Sequence, residues 1–228
     1  MNYLDYLRTD KFPHFWCSGC GNGIVLCAIA RAFEELDLTL ENTVVVTGIG
    51  CWGKADDYVR TNSFHGTHGR ALAFATGIKL ANPSLNVVVL MGDGDGITIG
   101  GNHFIHAARR NVDVTAILVN NFNYGMTGGQ YSGTTPEERI TTTSRYGHIE
   151  EGFDICAVAK AAGARYVARA STENPQQLKN LIRDGIKKQG FACIEAISPC
   201  PTHFGRNNGM RSPAALMRWV NENSVINY

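Results

Sequence analysis

"VVVLMGDGDGITIGG", residues 87–101, decides how the rest of the chain is read. Its first five residues are a continuous apolar run of the kind that forms a strand buried on both faces. The run then stops in Gly92, Asp93, Gly94, Asp95 and Gly96. Glycines let a backbone approach a ligand closely, and carboxylates among them attract a cation. A turn whose aspartates merely cap the next helix is the plainer reading.

Other apolar and β-branched runs flank this one. Strands are expected near 43–47, 86–91, 113–119, 165–170 and 192–197. Helices are expected near 22–36, 69–81, 100–110, 155–162 and 175–188, with a last one after Ser212 that has Pro213 in its first turn. Such alternation predicts an α/β fold, a parallel sheet with helices on both faces. Residues 120–145 have no clear periodicity, and a loop of that length in a compact domain is usually functional. No repeat or linker interrupts the chain, so residues 1–228 are expected to form a single domain.

Composition narrows the function classes. Hydrophobic residues make up 44% and charged residues 18%, the balance of an ordinary soluble globular protein. A net charge of +1 gives no electrostatic reason to expect nucleic acid or an anionic membrane surface as partner. No apolar run approaches the roughly 18 residues of a membrane span. Asp5, Arg8, Asp10 and Lys11 precede any apolar stretch, so no signal peptide is expected. Seven cysteines without an export signal point to reduced thiols or metal ligands and to a cytoplasmic protein.

In an open parallel sheet, ligands collect beyond the carboxyl ends of the strands. The glycine–aspartate turn lies on that edge, and so does "NNFNYGMTGGQ", which follows the next expected strand. Twenty-eight positions, one helix plus one strand, separate Asp93 from Asn121. The two can therefore face each other across neighbouring strand ends. A few hard oxygen ligands suit Mg2+, which completes its octahedron with water and phosphate. The glycines would admit a phosphate, and a helix starting near Gly100 adds a favourable dipole.

The same edge collects thiols. Cys17 and Cys20 form a CxxC, while Cys51 and Cys200 each follow an expected strand. Four thiolates would hold Zn2+ or a [4Fe–4S] cluster, and ligand type alone does not choose between them. Cys27, Cys156 and Cys193 fall in apolar patterns and read as small core residues. Lys54, three residues past Cys51, could meet a substrate carboxylate, although a surface lysine is the plainer reading. His65 and His68 precede a helix on the active edge. His103 and His106 are spaced to present two metal ligands but read better as core or supporting residues. Arg109 and Arg110 suit the end of a helix dipole, and the threonines of 134–143 are a candidate partner contact.

With these motifs in place the chain resembles a known family. "GDGDGITIGGNHFIHAARRN" with "NNFNYGMTGGQYSGTT" is similar to the β subunit of 2-oxoacid:ferredoxin oxidoreductases, a thiamine diphosphate-binding fold. A dinucleotide site fits poorly, because the GxGxxG order is absent. The resemblance implies Mg2+ held by Asp93, Asn121 and the carbonyl of Asn123. It places Ile49, Gly50, Cys51, His68, Gly92, Gly94, Asp95, Gly125, Met126 and Thr127 around the cofactor, with Lys54 and His68 near the chemistry. It also implies a [4Fe–4S] cluster on Cys17, Cys20, Cys51 and Cys200.

The activity that follows is oxidative decarboxylation of a 2-oxoacid to acyl-CoA and CO2, with CoA as co-substrate. Electrons would pass through the cluster to ferredoxin or a ferredoxin-like subunit. The opening segment "YLRTDKFPHFWC" most resembles the 2-oxoglutarate branch, with pyruvate and branched-chain 2-oxoacids as alternatives. The glutamate that activates the cofactor's aminopyrimidine has no obvious source here; Glu137, Glu138, Glu150 and Glu151 cluster elsewhere. In the family it comes from an α subunit, so a hetero-oligomer is expected. The chain also ends sooner after Trp219 than many relatives do, which leaves tail contacts open. A non-oxidative thiamine-dependent 2-oxoacid decarboxylase subunit with structural zinc is the alternative reading. A scaffold or electron-transfer subunit without thiamine binding is a third.

Overall fold

A computed structural model describes residues 1–225, so the last three residues of the expected domain lie outside the described ones. Among the described residues, six strands form one all-parallel sheet in the order β2-β1-β3-β4-β6-β5. They are β1 (Thr43–Thr47), β2 (Asn62–His65), β3 (Asn86–Gly92), β4 (Thr115–Asn120), β5 (Tyr166–Ser171) and β6 (Ala192–Ile197). The helices are α1 (Asn22–Glu35), α2 (Ala71–Ala81), α3 (Gly101–Arg109), α4 (Ile155–Ala162), α5 (Pro175–Lys187) and α6 (Pro213–Glu222). None is long and apolar enough to cross a membrane.

The strands alternate their side chains between two cores. Val88 and Leu90 of β3 face one layer, built with α1 and α5 through Val25, Ile29, Phe33, Leu178 and Ile182. Val87, Val89 and Met91 face the other, with α2, α3 and α4 through Leu72, Phe104, Ala108 and Ile155. Both faces of the sheet are covered, as the uninterrupted apolar strands require. Local chemistry sets the helix ends. Asp154 and Ser212 accept from Ala157 N (3.0 Å) and Ala215 N (3.1 Å) as caps of α4 and α6, and Pro213 opens α6.

Two elements depart from the sequence expectation. β2 is an edge strand whose four residues are exposed, so it carries no apolar run. The chain after β3 does not wait until Gly100 to turn helical. It winds at once from Asp93 into a wide turn over Gly94–Ile99, where Gly100 N donates to Asp95 O at 3.0 Å, before α3 begins. Wide helical turns of this kind recur at functional sites.

The sheet order positions the site. From β1 the chain crosses to β2 on one side, and from β3 it crosses to β4 on the other. The loops leaving β1 and β3 therefore part, and the crevice between their carboxyl ends is where a doubly wound sheet binds ligands.

Candidate functional site

That crevice is a cleft walled by three chain segments. Ile49, Gly50, Cys51 and Trp52 follow β1; Gly92 ends β3, with Asp93, Gly94 and Asp95 after it; Asn121, Asn123, Tyr124, Gly125, Met126 and Thr127 follow β4, and His68 closes it from the loop before α2. The structure thus gathers the sequence-chosen cofactor positions around one space. It encloses only about 70 Å3, below the roughly 300–1,000 Å3 of pockets that surround a whole small molecule.

Asp93 is 1% exposed, and its carboxylate is held from two sides. Oδ2 accepts from Ser132 Oγ at 2.5 Å and Thr134 Oγ1 at 2.7 Å, and Asn121 N points at Oδ1 from 3.4 Å. Burial pushes the Asp93 carboxyl up, and the two hydroxyls and the amide oppose that shift. A buried carboxylate braced this way is suited to a cation that would restore its charge. Asn121 Oδ1 accepts from Asn123 N at 3.2 Å, and the Asn123 side chain is buried with neither polar atom partnered. Few hard oxygen donors, a glycine turn and spare amide atoms fit Mg2+ with a diphosphate.

Asp95 forms the second carboxylate position. Its Oδ1 accepts from Gly69 N at 2.6 Å and contacts His68 Nδ1 at 2.6 Å, which fixes the ring and leaves Nε2 for other partners. Burial raises the Asp95 carboxyl, against the opposing pull of these neighbours. The side chain fits only because position 48 is glycine: a Cβ at Gly48 would overlap the Asp95 carboxylate. Tyr124 supports the turn from the other side by donating to Gly94 O at 3.1 Å.

The four sequence-chosen cysteines are all free thiols. Burial pushes the Cys20 thiol up to about 12, and Cys200, Cys51 and Cys17 raise it further by their proximity. Burial likewise lifts Cys51 to about 11, with added push from Cys200 and Cys17. The backbone binds these segments together. Cys20 N donates to Cys17 O (3.0 Å), Cys200 N to Asn121 O (3.2 Å), and Trp16 Nε1 to Cys51 O (2.6 Å). A single tetrahedral ion about 2.3 Å from each sulfur would need the sulfurs within roughly 4 Å of one another. Among the described residues, no three of these cysteines come within 4.8 Å. Thiol and oxygen donors meet at Gly125, where a Cβ would lie 3.5 Å from Cys51 Sγ and from Asn123 Oδ1.

Other sequence-chosen residues lie elsewhere. Lys54 does not line the cleft; its ammonium pairs with Asp57 at 2.5 Å, with both side chains about two-fifths exposed. His65 contacts Thr47 Oγ1 (3.0 Å) and Asp56 (3.2 Å). His103 and His106 are partly exposed rather than core. Cys193 is fully buried, but Cys156 departs from the core reading: its thiol donates toward Glu195 at 3.5 Å, inside a polar network. Thr134 and Thr135, expected at a partner surface, turn inward to bond Asp93 and Phe122 O. Among the described residues no glutamate lines the cleft.

Comparison with known proteins agrees with this geometry. The family "Thiamine pyrophosphate enzyme, C-terminal TPP binding domain" matches residues 47–196. The 2-oxoglutarate synthase subunit KorB of Methanothermobacter marburgensis is 54% identical over 223 residues, covering 98% of this chain and 78% of that one. The chain belongs to the 2-oxoacid:ferredoxin oxidoreductase β-subunit family. A 2-oxoacid:ferredoxin oxidoreductase β subunit of Aeropyrum pernix is 43% identical and covers 89% of the chain and 65% of its own. A solved 2-oxoglutarate:ferredoxin oxidoreductase from Magnetococcus marinus, with 2-oxoglutarate, coenzyme A and succinyl-CoA bound, superposes with a TM-score of 0.86 at 40% identity, over 89% of this chain and 69% of that one.

Within this β subunit, sequence reasoning missed Gly48, Tyr124, Ser132, Thr134, Asn120 and Glu195. The hydroxyls lay inside the quoted "QYSGTT" and carried no periodic signal. Glu195 did leave one, as a lone carboxylate in the apolar strand "ACIEAI".

Proposed function

We propose that this β subunit holds the diphosphate of thiamine diphosphate through Mg2+ and a [4Fe–4S] cluster on Cys17, Cys20, Cys51 and Cys200. It would serve the oxidative decarboxylation of a 2-oxoacid, with 2-oxoglutarate favoured, to acyl-CoA and CO2, passing electrons to ferredoxin. The observation that carries this reading is the turn around Gly125. There an asparagine with spare polar atoms and a candidate cluster thiol converge, and the braced Asp93 carboxylate lines the same cleft. The named relatives, and the 2-oxoglutarate and coenzyme A bound in the related enzyme, favour that substrate and co-substrate.

Bound thiamine diphosphate would supply the electron sink for loss of CO2, and a bound cluster the one-electron steps. The chain's residues do the rest. Asp93, Asn121 and the Asn123 carbonyl would hold Mg2+, while Ser132 and Thr134 keep the carboxylate aimed. The N–H groups that open the 94–99 turn would meet the phosphate oxygens, where the dipole favours negative charge. Asp95 orients His68, whose Nε2 can give or take a proton at the cleft. Met126 and Thr127 form the remaining wall. Lys54 would reach a substrate carboxylate by exchanging Asp57 for it. The activating glutamate would come from the α partner, since among the described residues no glutamate lines the cleft.

Metal and sulfide analysis, with reduced-state EPR, tests the reading on protein purified without oxygen together with its partner. About four irons and four sulfides per chain are expected, as is ferredoxin reduction dependent on 2-oxoglutarate and CoA. One zinc without sulfide, and aldehyde release needing no electron acceptor, would replace it with the non-oxidative decarboxylase.

A further inference from the structure

Behind the cleft runs a line of buried polar groups that the reaction does not itself use. Glu195 sits in the middle of β6, 1% exposed, between Leu118 on β4 and Arg169 on β5. Its neighbours on β6 are Ile194 and Ala196, both fully buried. A carboxylate there is costly unless every oxygen is met, and an apolar residue of similar size is often at least as stable. Both oxygens are met. Oε2 accepts from Arg169 Nε at 2.7 Å, and Oε1 accepts from Asn120 Nδ2 at 2.8 Å.

The second bond has a consequence. An ionised carboxylate can only accept, so the Asn120 amide must turn its NH2 toward Glu195 and its oxygen the other way. That oxygen accepts from Phe122 N at 3.2 Å and touches Thr134 Oγ1 at 3.0 Å. Phe122 is held at φ +62, a left-handed conformation that a bulky residue adopts only when its surroundings hold it. The turn so pinned carries Asn121 and Asn123. The single Thr134 proton goes to Asp93 Oδ2 at 2.7 Å, so the firm bond to the Asn120 oxygen is the one from Phe122 N. A flipped amide would set NH2 against the Phe122 N–H and lose the turn.

The geometry points to Glu195 as a positioning residue for the cofactor's metal: through the orientation of Asn120 it sets the turn bearing Asn121 and Asn123. This rests on the reading of those residues as the Mg2+ site. Residues that orient metal ligands typically change metal affinity by about 10–100-fold when altered.

The test measures thiamine diphosphate binding by calorimetry across a Mg2+ series. It uses the enzyme assembled with its partner, stripped of that cofactor. Glu195→Gln keeps the shape but can present either a donor or an acceptor to Asn120. The Mg2+ needed for half-maximal binding is expected to rise about tenfold, with the melting temperature of the cofactor-free assembly little changed. An unchanged Mg2+ requirement overturns the proposal, and so does a melting loss alone. If that variant does not assemble, Asn120→Ala removes the oxygen that meets Phe122 N and is expected to give the same rise; its absence again overturns the proposal. Asp93→Ala separates the two levels. Retained cofactor affinity in that variant sinks the metal site itself, whereas lost affinity beside an unaffected Glu195→Gln sinks only the positioning role.

Discussion

Oxygen donors and thiols meet around Gly125, yet the protein prepares them differently. Asp93 is gripped by Ser132 and Thr134, Asn121 and Asn123 are pinned in successive turns, and Asp95 is seated by Gly69 and His68. Nearly every oxygen that would face Mg2+ has its direction set by the protein. The thiols are set by backbone bonds at their bases, and burial keeps Cys20 and Cys51 protonated at neutral pH. A small hard ion rewards a rigid, pre-aimed pocket, because misplacing one ligand breaks its octahedron. Thiolates become ligands only by losing protons, so loading the proposed cluster would be coupled to proton release.

This contrast can be broken in order of expected effect. Asp93→Ala should weaken thiamine diphosphate binding by more than about 100-fold at ordinary Mg2+, beyond the loss typical of a merely orienting group. Calorimetry on the assembled enzyme reads it, and near-normal affinity would mean a different metal ligand. Cys200→Ser should remove iron and sulfide while leaving cofactor binding within error, because the oxygen donors do not depend on the thiols. Unchanged iron content takes Cys200 out of the ligand set.

Gly48→Ala sharpens the comparison from the other side. Its methyl group would displace Asp95, costing about 1–3 kcal/mol of stability as overpacking. It should lower cofactor affinity more than cluster content; the reverse order would mean the two regions are mechanically joined. The smallest effect is a rate. In cluster-free protein at pH 8, alkylation followed by mass spectrometry should modify exposed Cys17 well before Cys20 or Cys51. The reason is sign: thiols raised to about 12 and about 11 are overwhelmingly neutral there and gain thiolate only as pH climbs toward those values. Early labelling of Cys20 would break that account.

Much of this was legible before any coordinates. The run at 87–91 had to be a buried parallel strand because no polar side chain interrupts it, and the glycines and aspartates after it therefore fall at the carboxyl edge of the sheet. Edge strand β2 was not legible, since four exposed residues carry no burial pattern. Neither was the early helical turn at Gly94, which depends on how Gly100 N reaches Asp95 O. The pairing of Lys54 with Asp57 likewise depends on where the 52–58 turn points.

The sequence by itself therefore determined the layered fold, the ligand-binding edge and the chemical types gathered there, because periodicity and residue chemistry are local properties. Only the tertiary structure decided how those groups are held. Ser132 and Thr134 reach Asp93 across some forty positions, and Glu195 meets Asn120 across seventy-five. Such bonds are made when parallel strands and a folded-back loop bring distant residues within hydrogen-bonding range. No local pattern records that distance.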